Sequence, residues 1–243
     1  ATWQLLLGAD WPGQAGLKVL CGGEPLPREL ADRLLATGAD LWNMYGPTET
    51  TIWSSIAHIQ TDAPVTVGKP IGNTQMYIVD DQLRPVPIGV PGELGIGGDG
   101  VAKGYFKRPG LTAERFVANP FDNSSATLYR TGDLARYRSN GDIECLGRND
   151  NQVKIRGYRM ELGEIEASLD ALPEIEQSLV LLREDVPGDK RLVAYVSDTD
   201  DVAPDVPVLR QALQQELPDY MIPRAFFLLD SFPLLTHGKV ASK

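Results

Sequence analysis

The residues best equipped for chemistry lie between positions 43 and 51, where the chain reads Asn43-Met44-Tyr45-Gly46-Pro47-Thr48-Glu49-Thr50-Thr51. The Asn43 amide can pair with a base edge, the Tyr45 ring offers a face for stacking, and Gly46-Pro47 turns the chain. Thr48 and Glu49 then supply a hydroxyl and a carboxylate, which suit a phosphoryl oxygen and a divalent cation. Taken singly, each of these residues is at home in a polar loop. The same holds for Asp133 in Thr131-Gly132-Asp133, a run that equally makes a turn. Two histidines, His58 and His237, and two cysteines without metal-ligand spacing, Cys21 and Cys145, argue against a zinc site. Both cysteines are expected to be ordinary buried thiols.

These groups need elements to hold them. Residues 17–21 form a short apolar run ending in Gly22-Gly23, followed by Glu24-Pro25-Leu26-Pro27, a pattern of strand, tight turn and helix. Pro27 suits the first helical turn, Leu26, Leu30 and Leu34 recur on one face, and Gly38 is a stop. A second strand, 41–45, runs into Gly46-Pro47. Two strand-to-loop edges this close are what an α/β sheet presents where ligands bind. From 65 to about 147 the texture changes to short β-rich runs (76–79, 93–96, 134–137, 143–146) between Gly and Pro, as in a small barrel or antiparallel layer. One helix, 111–116, interrupts them, opened by Thr112.

After Asp150 the pattern becomes strand 152–155, helix 162–172, strands 175–182 and 191–196, helix 206–217 and strand 225–229. Leu162, Ile165, Leu169 and Leu172 share one helical face; Leu209, Leu213 and Leu217 share another, with Asp205 as cap and Pro207 in the first turn. This reads as a separate α+β domain of about 90 residues, a size able to fold alone.

Composition narrows the partners. The formal charge of −10 repels nucleic-acid phosphates and anionic membrane surfaces, so a bound nucleotide must be held by local groups. No apolar run reaches the ~18 residues needed to cross a bilayer and no charged-then-apolar leader opens the sequence, so the expected location is cytoplasmic. The opening at Ala1, already inside an amphipathic run, suggests a piece of something longer.

Seven blocks, in order and covering essentially the whole chain, resemble the adenylation domains of nonribosomal peptide synthetases, members of the adenylate-forming superfamily. They are Leu17-Lys18-Val19-Leu20-Cys21-Gly22-Gly23-Glu24; the 43–51 run; Gly92-Glu93-Leu94 through Glu114-Arg115-Phe116; Tyr129-Arg130-Thr131-Gly132-Asp133-Leu134; Gly147-Arg148-Asn149-Asp150 through Glu166; Leu217-Pro218-Asp219-Tyr220-Met221-Ile222-Pro223; and Gly238-Lys239-Val240. The resemblance implies an α/β fold: the distal part of the large core (residues 1–149, α/β sheet plus small β-barrel), followed by a small mobile C-terminal α+β domain (150–243). It implies an enzyme that condenses an amino-acid carboxylate with ATP, releases pyrophosphate, and passes the aminoacyl group to the phosphopantetheine thiol of a peptidyl carrier domain. Gly22, Gly23 and Glu24 would line the amino-acid pocket and face adenine. Asn43 would recognise the adenine amino group, Tyr45 and the Gly46 turn would lie against the ring, Thr48 would bind a phosphate oxygen and Glu49 would hold Mg2+. Asp133 would take both ribose hydroxyls with Arg148 nearby. Asp150 would be the hinge, with Lys154 opening the loop used for thioester formation. Lys239 would be the catalytic lysine, a mobile point charge able to arrive for the reaction and leave.

By the same resemblance the pocket positions are Val19, Cys21, Met44, Ile52 and Trp53. An indole and two large aliphatic groups leave little volume, so a small substrate is expected, glycine first and alanine or cysteine next. The chain departs from the pattern at His237, where Asn is usual, and in having no Ser-Gly-Thr-Thr-Gly phosphate loop, from which an inactive isolated fragment is expected. An acyl- or aryl-CoA ligase of the same superfamily and a truncated, inactive adenylation fragment are the alternatives.

Overall fold

The computed structural model describes residues 2–122, 126–150, 152–155, 157–186, 189–198 and 205–232. The chain divides into two compact units, Ala1–Asp150 and Asn151–Lys243.

The first unit opens with helix α1 (Thr2–Gly8), strand β1 (Lys18–Gly22), helix α2 (Arg28–Ala36) and strand β2 (Asp40–Tyr45). Pro27 is the N-cap of α2, one position before the helix, and Gly38, at φ +78°, ends it by donating its N–H to the Leu35 carbonyl. β1 and β2 pair in parallel, with Cys21 beside Asn43 and Gly22 beside Met44. A short 3-10 turn (Thr48–Thr50) leads to β3 (Ser55–His58) and β4 (Lys69–Pro70), which complete a sheet in the order β1-β2-β3-β4. Strand alternation sends Val19, Cys21, Leu41 and Ala57 to one face, where they pack with Leu26, Ala31 and Leu34 of the α2 region. Burying each large aliphatic group here is worth about 1.5–3 kcal/mol.

The rest of this unit is an antiparallel sheet. β5 (Thr74–Val79), β6 (Gly92–Gly98), helix α3 (Pro109–Arg115), β7 (Phe116–Ala118), β8 (Thr127–Tyr137) and β9 (Ile143–Arg148) follow in sequence, in spatial order β5-β6-β8-β7 with β9 on β8. Its core is Val67, Met76, Ile78, Leu94, Ile96, Ala135 and Ile143. Two sequence expectations change here. α3 is opened by Pro109, after Arg108 as N-cap, and Thr112 sits inside the helix with its hydroxyl donating to the Arg108 carbonyl at 2.8 Å. Cys145 is exposed, while Cys21 is buried and its thiol is pushed up to about 11 by that burial. The register between β8 and β9 shifts between Leu134 and Ala135, so β9 bulges and Cys145 lies on an outer edge.

The second unit begins with a hairpin, β10 (Gln152–Ile155) and β11 (Tyr158–Glu161), which runs into helix α4 (Leu162–Asp170). Strands β12 (Ile175–Arg183), β13 (Arg191–Asp198) and β14 (Ala225–Leu229) form a sheet in that order, antiparallel then parallel; helix α5 (Val206–Glu216) precedes β14. Ile165 and Leu169 of α4, Leu209 and Leu213 of α5, and Val180, Leu192, Ala194 and Val196 of the sheet close one core. Asp205 holds the N-cap position of α5 without a side-chain capping bond, and α4 stops at Asp170, two residues before Leu172. No helix among the described residues is long and apolar enough to cross a membrane.

Candidate nucleotide and substrate site

The sharpest concentration of polar contacts lies in the first unit, where the C-terminal end of β2 meets β8 and β9. Asp133 and Arg148 are register partners across the antiparallel β8–β9 pair, which puts the guanidinium beside the carboxylate. Arg148 Nη1 donates to Asp133, and its Nε and Nη2 reach the two oxygens of Asp150 at 2.6 and 2.8 Å. The Tyr45 hydroxyl, brought from β2, donates to the other oxygen of Asp133. Burial, reinforced by the Asp133 charge, holds the Tyr45 phenol well above its ordinary value, so it stays a neutral donor. Arg115 approaches Asp150 at 3.5 Å from the last turn of α3.

Asp133 is held rigidly. The Thr131–Asp133 segment is a bulge within β8 and not the free turn its sequence suggests: opposite β6, the partner of Glu93 is Leu134 and that of Gly95 is Arg130. Glu93, only 7% exposed, receives Arg130 Nη2 at 2.5 Å and the Gly132 N–H at 3.1 Å. The Thr131 hydroxyl donates to the Leu94 carbonyl at 2.7 Å and accepts the Asp133 N–H at 3.0 Å. Gly132 is required: its φ is +74°, and a Cβ there would lie 2.4 Å from an Asp150 oxygen.

Next to this edge is the turn after β2. A Cβ on Gly46 would meet the Ile52 carbonyl oxygen at 2.4 Å, so only glycine lets the chain fold back over itself. Thr48 is exposed, Thr50 is buried with its hydroxyl 2.6 Å from that of Ser54, and Thr51 and Ile52 both have positive φ, 62° and 71°. For β-branched residues that is strained backbone. Glu49 Oε1 accepts the Tyr105 hydroxyl at 2.6 Å. No group of three or more His, Cys, Asp or Glu side chains able to hold a metal occurs among the described residues. One carboxylate beside an exposed hydroxyl fits Mg2+ delivered with phosphate oxygens and water, which needs only one or two protein carboxylates.

The amino-acid pocket of the sequence reading divides in two. Val19 and Cys21 face the α2 core, 0% and 8% exposed, and Met44 points to the opposite face of the sheet. The residues that share the Met44 face are Leu20, half exposed, and Gly22, its register partner. Trp53 covers that glycine: a Cβ on Gly22 would lie 2.4 Å from the indole. Leu20, Gly22, Met44 and Trp53 therefore form one surface, with Ile52 62% exposed at its edge. Val19 and Cys21 pack with the α2 cluster on the other side of the sheet from this surface.

The remaining positions are quickly placed. Asn43 is 5% exposed and its Nδ2 donates to the Thr66 carbonyl at 2.8 Å. Gly23 has φ +84°, and Glu24 is half-buried just after it. Lys154 lies on β10 in the second unit, opposite Arg159. Lys239 and His237 lie outside the described residues. Tyr105, Arg115 and Leu20 fall inside the sequence blocks quoted above, where no role was assigned to them individually.

Comparison with known proteins places these features in a family. Residues 4–106 match the AMP-binding enzyme family and residues 164–239 match the AMP-binding enzyme C-terminal domain. A dimodular nonribosomal peptide synthase of Bacillus subtilis is 50% identical over 99% of this chain, which spans 10% of that relative. A four-domain nonribosomal peptide synthetase solved bound to AMP and glycine is 48% identical, with a TM-score of 0.59 over 98% of this chain and 18% of its own. A synthetase protein containing adenylation and PCP domains, solved with a vinylsulfonamide inhibitor, is 32% identical with a TM-score of 0.81 over 92% of this chain and 39% of its own.

Proposed function

Because this chain belongs to the AMP-binding enzyme family, with the fold of the adenylate-forming superfamily, we propose that it is the distal part of an amino-acid-activating adenylation domain of a nonribosomal peptide synthetase. The activity is formation of an aminoacyl adenylate from a small amino acid, glycine first, and ATP, with release of pyrophosphate. Transfer of the aminoacyl group to the phosphopantetheine thiol of a carrier domain follows.

One observation carries the reading: Tyr45 and Asp133, 88 residues apart in sequence, meet with Arg148 at one strand edge beside the Gly46–Glu49 turn. Asp133 there accepts the ribose hydroxyls, since an ionised carboxylate has acceptor sites beyond those used by Tyr45 and Arg148. Arg148 holds that carboxylate in place through a charge-assisted hydrogen bond. Thr48 donates to a phosphate oxygen, and Glu49 holds the Mg2+ that accompanies the nucleotide and screens phosphate charge. Lys239 is assigned the ammonium that pairs with the substrate carboxylate, and Asp150 the pivot of the small domain. On the substrate side, Trp53 lies over Gly22 with Met44 beside it, bulk that favours a small amino acid, and the relative solved with glycine and AMP supports the same choice.

Amino-acid-dependent ATP–pyrophosphate exchange by the complete domain tests the proposal. Glycine is expected to exceed alanine and cysteine by on the order of tenfold, the discrimination that one methyl group allows in a tight pocket. A preference for phenylalanine or leucine rejects the small pocket. Activity only with carboxylic acids lacking an α-amine, in the presence of coenzyme A, rejects the amino-acid assignment. The 243 residues contain no Ser-Gly-Thr-Thr-Gly run, so exchange is assigned to the complete domain and not to these residues alone.

A further inference from the structure

Residues 98–105 form a strap across the turn that carries Glu49. The Thr51 hydroxyl donates to the Gly100 carbonyl at 2.7 Å, and the Ala102 N–H donates to the Glu49 carbonyl at 2.8 Å. At the end of the strap the Tyr105 hydroxyl reaches the Glu49 side chain, Oε1, at 2.6 Å. The tyrosine is itself held on three sides. Its backbone N–H donates to the Thr112 hydroxyl at 2.9 Å, and Thr112 can come this close because residue 104 is glycine at φ +138°, where a Cβ would lie 2.3 Å from the Thr112 methyl. Its ring meets Phe116 edge-on, with centroids 5.3 Å apart, and its hydroxyl lies 3.5 Å from that of Tyr129, a fully buried residue.

We propose that Tyr105 is a positioning residue for the divalent cation site: its hydroxyl fixes the orientation of the Glu49 carboxylate, and it acts on the cation through Glu49. The inference deepens the proposed function and rests on it. The Tyr105 hydroxyl is the donor of the bond to Glu49, because a carboxylate can only accept. A donor on one oxygen restrains a side chain that otherwise samples several rotamers. Mg2+ accepts near-ideal octahedral geometry only, so a carboxylate that wanders binds it poorly. The arrangement supplies what a cation ligand needs besides its charge, a second contact that orients it.

The test uses the complete protein with Tyr105→Phe, which removes one oxygen, and Thr112→Val, which removes the hydroxyl that anchors the Tyr105 backbone. Two quantities are read: the Mg2+ concentration giving half-maximal glycine-dependent exchange, and the affinity for Mn2+ in the presence of a non-hydrolysable ATP analogue, followed by the electron paramagnetic resonance of free Mn2+. Y105F is expected to weaken both by about tenfold, the scale of one hydrogen bond to a charged group. T112V should shift both the same way by less, with the melting temperature and the KM for glycine near wild type. Unchanged Mn2+ affinity and Mg2+ midpoint in Y105F overturn the proposal, as does a lowered melting temperature with cation affinity intact. Wild-type protein that binds Mn2+ with the analogue but shows no amino-acid-dependent exchange contradicts the proposed function instead, and the Mn2+ comparison still decides the role of Tyr105.

Discussion

Asp133 and Trp53 show how a single side chain acquires a role from its surroundings. Asp133 is fixed in place because Glu93, Thr131 and Gly132 hold its backbone and Arg148, its register partner, holds its carboxylate. The missing Cβ of Gly22 lets the Trp53 indole lie against the sheet, and in the proposed function that indole limits the substrate. Replacing Trp53 by Ala should therefore open the surface beside Met44: in exchange assays of the complete domain, the ratio of alanine or larger amino acids to glycine should rise by on the order of tenfold. An unchanged ratio would remove Trp53 from the pocket. The types Asn, Tyr, Thr, Glu and Asp were legible because their spacing carried them. Which face a side chain takes was not: Val19 and Cys21 alternate with Leu20 and Gly22, and only the pairing of β1 with β2 decides which pair shares the side of Met44. Tyr105 lies in a quoted block, but its contact with Glu49 was not legible because the two are 56 residues apart.

At the level of elements, the site depends on irregularities more than on regular strands. The β8 bulge turns Asp133 toward β2 and leaves Gly132 facing Asp150 and Arg148. Gly132→Ala should cost about 2 kcal/mol or more, from a left-handed backbone and a displaced Asp150, visible as a lower melting temperature together with weaker nucleotide binding. Wild-type stability in this variant would mean that position 132 does not require glycine. Most elements could be read from periodicity, including both leucine-faced helices of the second unit. Those that were missed share a cause. β3, β4 and β7 span Ser55–His58, Lys69–Pro70 and Phe116–Ala118, too short for an alternation to register, and they exist because a neighbouring strand supplies hydrogen bonds. β11 (Tyr158–Glu161) likewise forms as the return arm of a hairpin.

Across the whole molecule, an acidic chain gathers its arginines where they serve carboxylates: Arg115 and Arg148 at Asp133 and Asp150, and Arg130 at Glu93. With a net charge of −10 over the chain, a nucleotide held as proposed must rely on such local groups. The contacts come from segments far apart in sequence, so their convergence was an expectation from the resemblance and not from the spacing of the residues. The central claim is that this strand edge is the nucleotide-sugar site with a small-substrate surface beside it. A crystal structure of the complete protein with AMP and glycine tests it most directly. Ribose hydroxyl oxygens within hydrogen-bonding distance of Asp133, and the glycine α-carbon against Met44 and Trp53, are the expected result; a nucleotide whose ribose lies away from Asp133 would contradict the account.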